Sequence, residues 1–348
     1  MAALTRDYLN YQSERIERVL ASHRVPARVH SGTVSPRWIR FLVTPALGAR
    51  VATVRNLSEE LALALGAQAV RVARDGESLA LEMPRLDAEI VHLSRIMRQT
   101  PEVPQVAAFL GLAEDGRPLL ARLPSPDVAH ILVAGMTGSG KTELMRTMLL
   151  SLAMCNRQSK LQLALIDPKR RGFAPLRGLP HLLTAPAEDA AGALALLDRL
   201  VQEMERRDRE GISSPRIVIA VDELLDLLAL ESAYLTSGRN GHSGTTVIQS
   251  LTRLAQRGRE AGLHLVIGVQ KPSTAALGPM LKANFPVRLV GRVASAEDAR
   301  VAAGQAASGA ERLLGRGDFV AVAGGQTVHF QAAWVSPEEW PGVLERCL

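Results

Sequence analysis

A glycine-rich turn that carries a lysine and a threonine lies near the middle of the chain. An apolar run (130–134) precedes it and a helical pattern (143–154) follows it, so the turn fits the phosphate-binding pattern G-x-x-x-x-G-K-[ST] in its usual context. Its residues are Gly135, Met136, Thr137, Gly138, Ser139, Gly140, Lys141 and Thr142. Glycines leave main-chain N–H groups open to phosphate oxygens. We therefore predict ATP binding, with Lys141 on the β- and γ-phosphates and the Thr142 hydroxyl on Mg²⁺.

Two acids follow a second apolar strand. Residues 216–221 are almost entirely apolar, and Asp222 and Glu223 come directly after them. Ligands bind at the carboxyl ends of strands in open α/β sheets. We predict that Asp222 holds Mg²⁺ and that Glu223 orients and polarises the attacking water. Acids at a helix N-terminus are the simpler explanation, which the phosphate-binding loop in the same chain disfavours.

Two further strand ends carry polar residues. Gln270 follows the apolar strand 263–269, where it either senses the γ-phosphate or is a satisfied amide at a strand end. Asp167 and Lys169 follow the strand 162–166, and we expect them near the nucleotide edge of the sheet. Pro168 between them makes an ordinary turn the simpler explanation for this pair.

Strands and helices alternate from residue 127 onward, which predicts an α/β core with a mostly parallel sheet. The predicted strands are 131–134, 162–166, 217–221, 263–269 and 287–290. The predicted helices are 142–154, 187–210, 250–261 and 296–303. Before this core we predict a helix at 90–98 and a hairpin of strands 106–112 and 118–122.

The first 86 residues predict a separate small module. After an amphipathic helix at 4–23, the order is ββαββ: strands 38–43 and 50–55, helix 58–65, and strands 69–73 and 78–83. Ser58 is the predicted N-cap of the helix and Gly66 its end. We therefore predict two domains, 1–86 and 87–348.

The composition fits a two-domain globular protein with an aliphatic core. The chain has 348 residues, of which 47% are hydrophobic and only 3% aromatic. The net charge of +6 is shared equally, because residues 1–125 hold 16 arginines and 13 acids and the remainder also carries +3. Cys155 and Cys347 lack metal-ligand spacing and indicate free thiols. No apolar run or signal peptide predicts membrane insertion, so we expect a cytoplasmic protein.

In their order along the chain, these motifs resemble the FtsK/SpoIIIE family of double-stranded DNA translocases, in the HerA–FtsK class of RecA-like motors. The resemblance rests on the phosphate-binding loop, the acid pair and six other segments within about 190 residues. Those segments are 166–169, 179–184, 254–265, 270–273, 281–284 and 313–318. The N-terminal ββαββ module also looks like the family's α domain.

The resemblance implies a RecA-like P-loop NTPase core that hydrolyses ATP with Mg²⁺ and moves along double-stranded DNA. Family motors are homo-oligomeric rings, so we expect a hexamer with the duplex in its pore. A neighbouring subunit then supplies an arginine to the γ-phosphate. Residues 202–207 look like the family segment that carries it, and Arg207 is our candidate; a solvated charge on the helix face is an equally good explanation.

Alternative functions stay open at this stage. Type VII secretion ATPases, which move proteins, share these motifs, and so do the single-stranded DNA coupling ATPases of conjugation. The segment 228–246 is longer than usual in the family, so Arg239 lies either in a pore loop that contacts DNA or in a surface loop. No winged-helix γ domain follows the core, which leads us to expect the motor of a phage, a plasmid or another mobile element.

Overall fold

The computed structural model describes residues 5–236, 245–271 and 283–347. The chain forms two compact units. The first comprises Met1–Ile90 and Glu114–Gly116, and the second Val91–Ala113 and Arg117–Leu348. Within the described ranges, no helix combines the length and the apolar character that a membrane span requires.

The first unit is a four-stranded antiparallel sheet packed against helices. Its strands are β1 (Ala27–Val34), β2 (Trp38–Pro45), β3 (Arg71–Asp75) and β4 (Ser78–Pro84), in the order β1-β2-β4-β3. Its helices are α1 (Arg6–Ser22), α2 (Val51–Asn56) and α3 (Ser58–Leu65). Phe41 and Leu81 of the central strands form one core with Ile16 and Leu20 of α1 and Leu61 of α3.

The strand predicted at residues 50–55 is wrong, because these residues form α2. Six residues are too few to separate a period of two from a helical period, and Val54 is the buried residue of α2. The missing strand is β1, in which no residue is fully buried, so its sequence shows no apolar alternation. Helix α3 ends at Gly66 as predicted, with a φ of +67°, but its N-cap is Leu57 rather than Ser58.

The second unit is built on a nine-stranded mixed sheet of order β6-β5-β13-β12-β11-β7-β10-β9-β8. The parallel strands are β7 (Ile131–Ala134), β8 (Leu161–Ile166), β9 (Arg216–Val221), β10 (Leu263–Val269) and β11 (Val287–Gly291). The antiparallel strands are β5 (Ala107–Ala113), β6 (Pro118–Arg122), β12 (Asp318–Ala323) and β13 (Gln326–Ala332). The predicted parallel core and the β5–β6 hairpin are confirmed, whereas the β12–β13 hairpin is not among the predicted elements.

Helices cover both faces of this sheet. They are α4 (Leu93–Gln99), α5 (Lys141–Cys155), α6 (Ala190–Glu210), α7 (Leu224–Thr236), α8 (Val247–Arg257), α9 (Ala296–Ala303) and α10 (Trp340–Glu345). Alternate residues of β9 face opposite sides: Val218 and Ala220 pack with α5, and Ile217 and Ile219 pack with α6 and α8. Of these helices, α7 and α10 are not among the predicted elements.

Helix α7 occupies the first part of the segment 228–246, for which the sequence predicts a pore loop or a surface loop. Residues 237–244 of that segment, including Arg239, lie outside the described residues. The same holds for residues 272–273 and 281–282 of the family segments and for Leu4 of the predicted N-terminal helix.

Candidate active site

The glycine-rich turn connects β7 to α5 and has the geometry of a phosphate cradle. Gly140 is the N-cap of α5 with a φ of +97°, and a Cβ at Gly135 would lie 2.6 Å from Ser139 Oγ. Among the described residues, the main-chain N–H groups of Thr137, Gly138 and Gly140 have no hydrogen-bond partner. Unpaired N–H groups at a helix N-terminus are the donors that phosphate oxygens require. The residues present therefore fit a bound nucleotide.

Lys141 and Thr142 begin α5 and reach the acids at the end of β9. Lys141 is 6% exposed, and its Nζ lies 2.5 Å from Glu223 Oε2 and 2.9 Å from the Asp222 carbonyl oxygen. The Thr142 hydroxyl donates to Asp222 Oδ1 at 2.8 Å. The structure thus brings together four predicted site residues that lie about 80 positions apart in sequence.

Both acids are buried, and each of them has a partner that fixes it. Asp222 is 4% exposed and Glu223 2%. The main-chain N–H of Gln270, which follows β10, donates to Glu223 Oε1 at 3.1 Å. Strand β10 lies between β7 and β9, so the cradle, the acids and Gln270 meet at one carboxyl edge of the sheet. Gln270 is thereby in contact with Glu223 through its backbone.

The donor set fits a magnesium ion. Asp222 Oδ1 and Thr142 Oγ1 are adjacent oxygen atoms of the kind that Mg²⁺ takes as ligands, since the ion in nucleotide sites is bound through one or two such groups together with phosphate oxygens. The ammonium of Lys141 supplies the opposite charge that makes burial of the acids tolerable. The chemistry that this arrangement supports is stabilisation of charge on a phosphoryl group.

Asp167 and Lys169 lie at the same edge, as expected. Asp167 is buried at the end of β8, and its Oδ2 accepts the N–H of Phe173 at 2.9 Å. Lys169 Nζ lies 2.7 Å from Asp226 Oδ2. The Asp226 carboxylate holds the pKa of Lys169 above its usual value, and the two site acids add to this effect. Lys169 is thus within the electrostatic reach of the site.

The loop that contains Arg316 and Gly317 supports the cradle. The N–H of Arg316 donates to the Gly138 carbonyl at 2.9 Å, and that of Gly317 donates to the Ser139 carbonyl at 2.8 Å. Arg146, one turn into α5, donates to the main chain of Gly172 in the loop after β8. The glycines of the G-R-G-D segment, with φ values of +77° and +90°, are a sequence signal for the loop of Arg316 and Gly317. No comparable signal marks Arg146.

The position of Arg207 argues against its predicted role. Its side chain is 3% exposed and donates to Glu203 Oε1 at 2.7 Å, the Pro215 carbonyl at 2.7 Å and the Ala261 carbonyl at 3.1 Å. These bonds connect the end of α6 to the segments before β9 and β10. A guanidinium held by three acceptors of its own chain is not presented to a neighbouring subunit. The charged helix pattern predicts that both Arg206 and Arg207 are exposed. In the structure only the Arg206 side chain is partly exposed.

Comparisons with known proteins identify the family of the chain. The FtsK/SpoIIIE family matches residues 94–213, and the FtsK alpha domain matches residues 2–85. The DNA translocase SpoIIIE of Bacillus subtilis (strain 168) is 32% identical over 370 residues, which cover 97% of this chain and 45% of the relative. The chain therefore spans less than half the length of the curated relatives it matches.

Solved structures share the fold. The pCW3 conjugation coupling protein TcpA, in a monomer form with ATPγS, has a TM-score of 0.63 at 18% identity, covering 96% of this chain and 99% of that one. The cytoplasmic domain of the Type VII secretion ATPase EccC of Thermomonospora curvata has a TM-score of 0.57 at 26% identity, covering 73% and 32%. The fold is that of P-loop ATPases, and the chain belongs to the FtsK/SpoIIIE family.

Proposed function

We propose that this protein is an ATP-driven translocase of double-stranded DNA that works as a homohexameric ring. The observation that carries the proposal is the buried contact of Lys141 with both site acids, because a second carboxylate beside the Mg²⁺ ligand serves hydrolysis rather than mere nucleotide binding. The match to the FtsK alpha domain supports the double-stranded DNA branch of the family. Residues 1–86 would form the α-domain module and residues 87–348 the motor domain.

Each residue of the site has a distinct task in this proposal. The N–H groups of the turn 135–142 hold the phosphates, and Lys141 binds the β- and γ-phosphates. Asp222 and the Thr142 hydroxyl hold Mg²⁺, which neutralises phosphate charge when bound. Glu223 accepts a hydrogen bond from the attacking water and aligns it with the γ-phosphate. The Gln270 side chain is our candidate for the group that senses whether a γ-phosphate is present.

The contacts of Glu223 indicate how ATP prepares the site for hydrolysis. Oε2 of Glu223 is paired with Lys141, and Oε1 accepts the Gln270 N–H. When Lys141 turns to the phosphates, Oε2 loses this partner and becomes available to a water. The Gln270 N–H still holds Oε1, so the carboxylate keeps its orientation. In this proposal an arginine from a neighbouring subunit neutralises charge on the γ-phosphate, and the buried contacts of Arg207 argue against its being that residue.

Steady-state ATP hydrolysis tests the proposal. We expect strong stimulation by linear double-stranded DNA and a loss of stimulation as salt rises, because backbone contacts release counterions. Glu223→Gln should reduce the rate by at least about 10²-fold, the usual contribution of a positioned acid–base group. The matched control is Glu210→Gln, at the end of α6, which should retain the rate.

The same assay separates the alternatives. Stimulation by single-stranded DNA only would favour a conjugative coupling ATPase. Hydrolysis that is indifferent to DNA would favour a protein-translocating ATPase of the type VII secretion class. The Type VII secretion ATPase EccC resembles 73% of this chain. A Glu223→Gln variant with normal turnover would refute the assignment of the catalytic carboxylate.

A further inference from the structure

Arg146 connects the first turns of α5 to the loop that follows β8. Its guanidinium donates to the Arg171 carbonyl at 2.6 Å and to the Gly172 carbonyl, and it also pairs with Glu143. The side chain is 18% exposed. One planar group therefore holds two successive carbonyls of the loop and one carboxylate of its own helix.

The loop held by Arg146 lies against the Asp222 carboxylate. An ideal Cβ at Gly172 would be 2.4 Å from Asp222 Oδ2 and 2.6 Å from Asp222 Cγ. The φ of Gly172 is not in the left-handed region, so the position requires glycine for space and not for backbone conformation. The next residue is fixed as well, since Phe173 is fully buried and its N–H bonds to Asp167.

Asp222 is consequently confined from two sides by the same face of α5. Thr142 and Arg146 are four positions apart and so lie on one face of the helix. Thr142 contacts Asp222 Oδ1 directly, and Arg146 acts on the Oδ2 side through Gly172. Movement of the loop away from Asp222 would leave the carboxylate free to rotate away from Thr142.

The geometry points to Arg146 as a positioning residue for the Mg²⁺ site: through the carbonyls of Arg171 and Gly172 it holds the loop that fixes the Asp222 carboxylate. This inference rests on the proposed function, which makes Asp222 a Mg²⁺ ligand. Arginine is required because its fork donates in several directions at once, whereas lysine offers a single point charge. Glu143 keeps the guanidinium charge compensated without contacting the loop.

Metal titration of nucleotide binding tests the inference without measuring turnover. The Mg²⁺ concentration for half-maximal binding is determined with a fluorescent ATP analogue, and the affinity for the same analogue is measured in EDTA. We expect Arg146→Lys and Arg146→Gln to raise the half-saturating Mg²⁺ concentration by about 10- to 100-fold, the usual cost of losing a group that orients a metal ligand. Their affinity for the analogue in EDTA should change less than about twofold.

One matched pair and one further control complete the design. Gly172→Ala should raise the half-saturating Mg²⁺ concentration as much or more, whereas Gly178→Ala, where a Cβ meets nothing within 4 Å, should not. Glu143→Gln, which leaves the carbonyl contacts in place, should stay close to the parent protein. If the arginine variants fail to fold by circular dichroism, Gly172→Ala alone decides, and an unchanged Mg²⁺ requirement overturns the inference.

The outcomes distinguish this inference from the proposed function. If the parent protein binds the analogue with a clear Mg²⁺ requirement and the folded Arg146 variants share it, Arg146 only packs α5 and the inference is refuted. If the parent protein itself shows no Mg²⁺-dependent binding, the proposed function fails first, and the inference fails with it.

Discussion

Acid should destabilise the second unit through two buried histidines. His130 precedes β7 and His264 lies in β10; their exposed fractions are 2% and 0%, and their ring centroids are 6.5 Å apart. The Leu265 N–H donates to His130 Nδ1 at 3.0 Å, and His264 Nδ1, at 3.0 Å from the Ala129 carbonyl, donates to that oxygen. His130 therefore carries its proton on Nε2 and His264 on Nδ1, and both rings are neutral in the fold.

Burial lowers the pKa of His130 to about 4 and that of His264 to about 3. The usual value in an unfolded chain is about 6.5, so as pH falls below this value the unfolded chain binds protons that the folded chain does not. Stability therefore decreases as pH falls. Between about pH 7.5 and about pH 5, each histidine should lower the free energy of unfolding by about 2 kcal/mol, and the pair by about 4 kcal/mol.

Urea unfolding followed by circular dichroism measures this effect. We expect His264→Asn, whose amide can still donate to the Ala129 carbonyl, to lower stability at every pH but to halve the loss between the two pH limits. The control is His30→Asn, which lies in the first unit and should leave the pH dependence of the second unit unchanged. If His264→Asn retains the full pH dependence, the reasoning from histidine burial is refuted.

Three further predictions concern the site and its support. Arg207→Met should lower the free energy of unfolding by about 2–4 kcal/mol, because two buried carbonyls lose a charged donor; thermal melts measure it, and an unchanged melting temperature would show that the arginine is dispensable. Gly268→Ala should abolish hydrolysis and lower the melting temperature, because its Cβ would lie 2.1 Å from a site-acid carbonyl, whereas Gly178→Ala should do neither. Glu223→Gln should bind a fluorescent ATP analogue about tenfold more tightly than the parent, because Lys141 no longer has a competing carboxylate; equal or weaker binding would contradict this.

The main parts of the site were predictable because they follow from local patterns and one topological rule. The apolar runs directly before Gly135, Asp222 and Gln270 each indicate a buried parallel strand. Ligands bind at the carboxyl ends of such strands, so the residues that follow them were expected at one edge without knowledge of the strand order. The fold of the first unit was less accessible, since β1 is an edge strand with no buried residue and hence no pattern.

Long-range main-chain contacts explain what the sequence did not predict. Arg207 lies in a helix segment rich in charge, and nothing local indicates that the Pro215 and Ala261 carbonyls require its guanidinium. Arg146 and Gly172 likewise acquire their significance only when β8 and α5 are packed together. The β12–β13 hairpin is a different case, because it could have been predicted. Gly324 and Gly325 mark its turn, with φ values of +54° and +76°, between two segments that pair as strands.

The hydrogen bonds of the acids imply that nucleotide binding exchanges contacts inside the site. Asp222 Oδ1 is bonded to Thr142, Glu223 Oε2 to Lys141 and Glu223 Oε1 to the Gln270 N–H. In the proposed function, phosphates therefore compete with Glu223 for Lys141, which would weaken ATP binding but couple it to release of the carboxylate oxygen that is our candidate for water activation. The third bond does not involve Lys141, so the carboxylate is released at one oxygen only. In this proposal, the asymmetry would keep Glu223 restrained before ATP binds and correctly oriented afterwards.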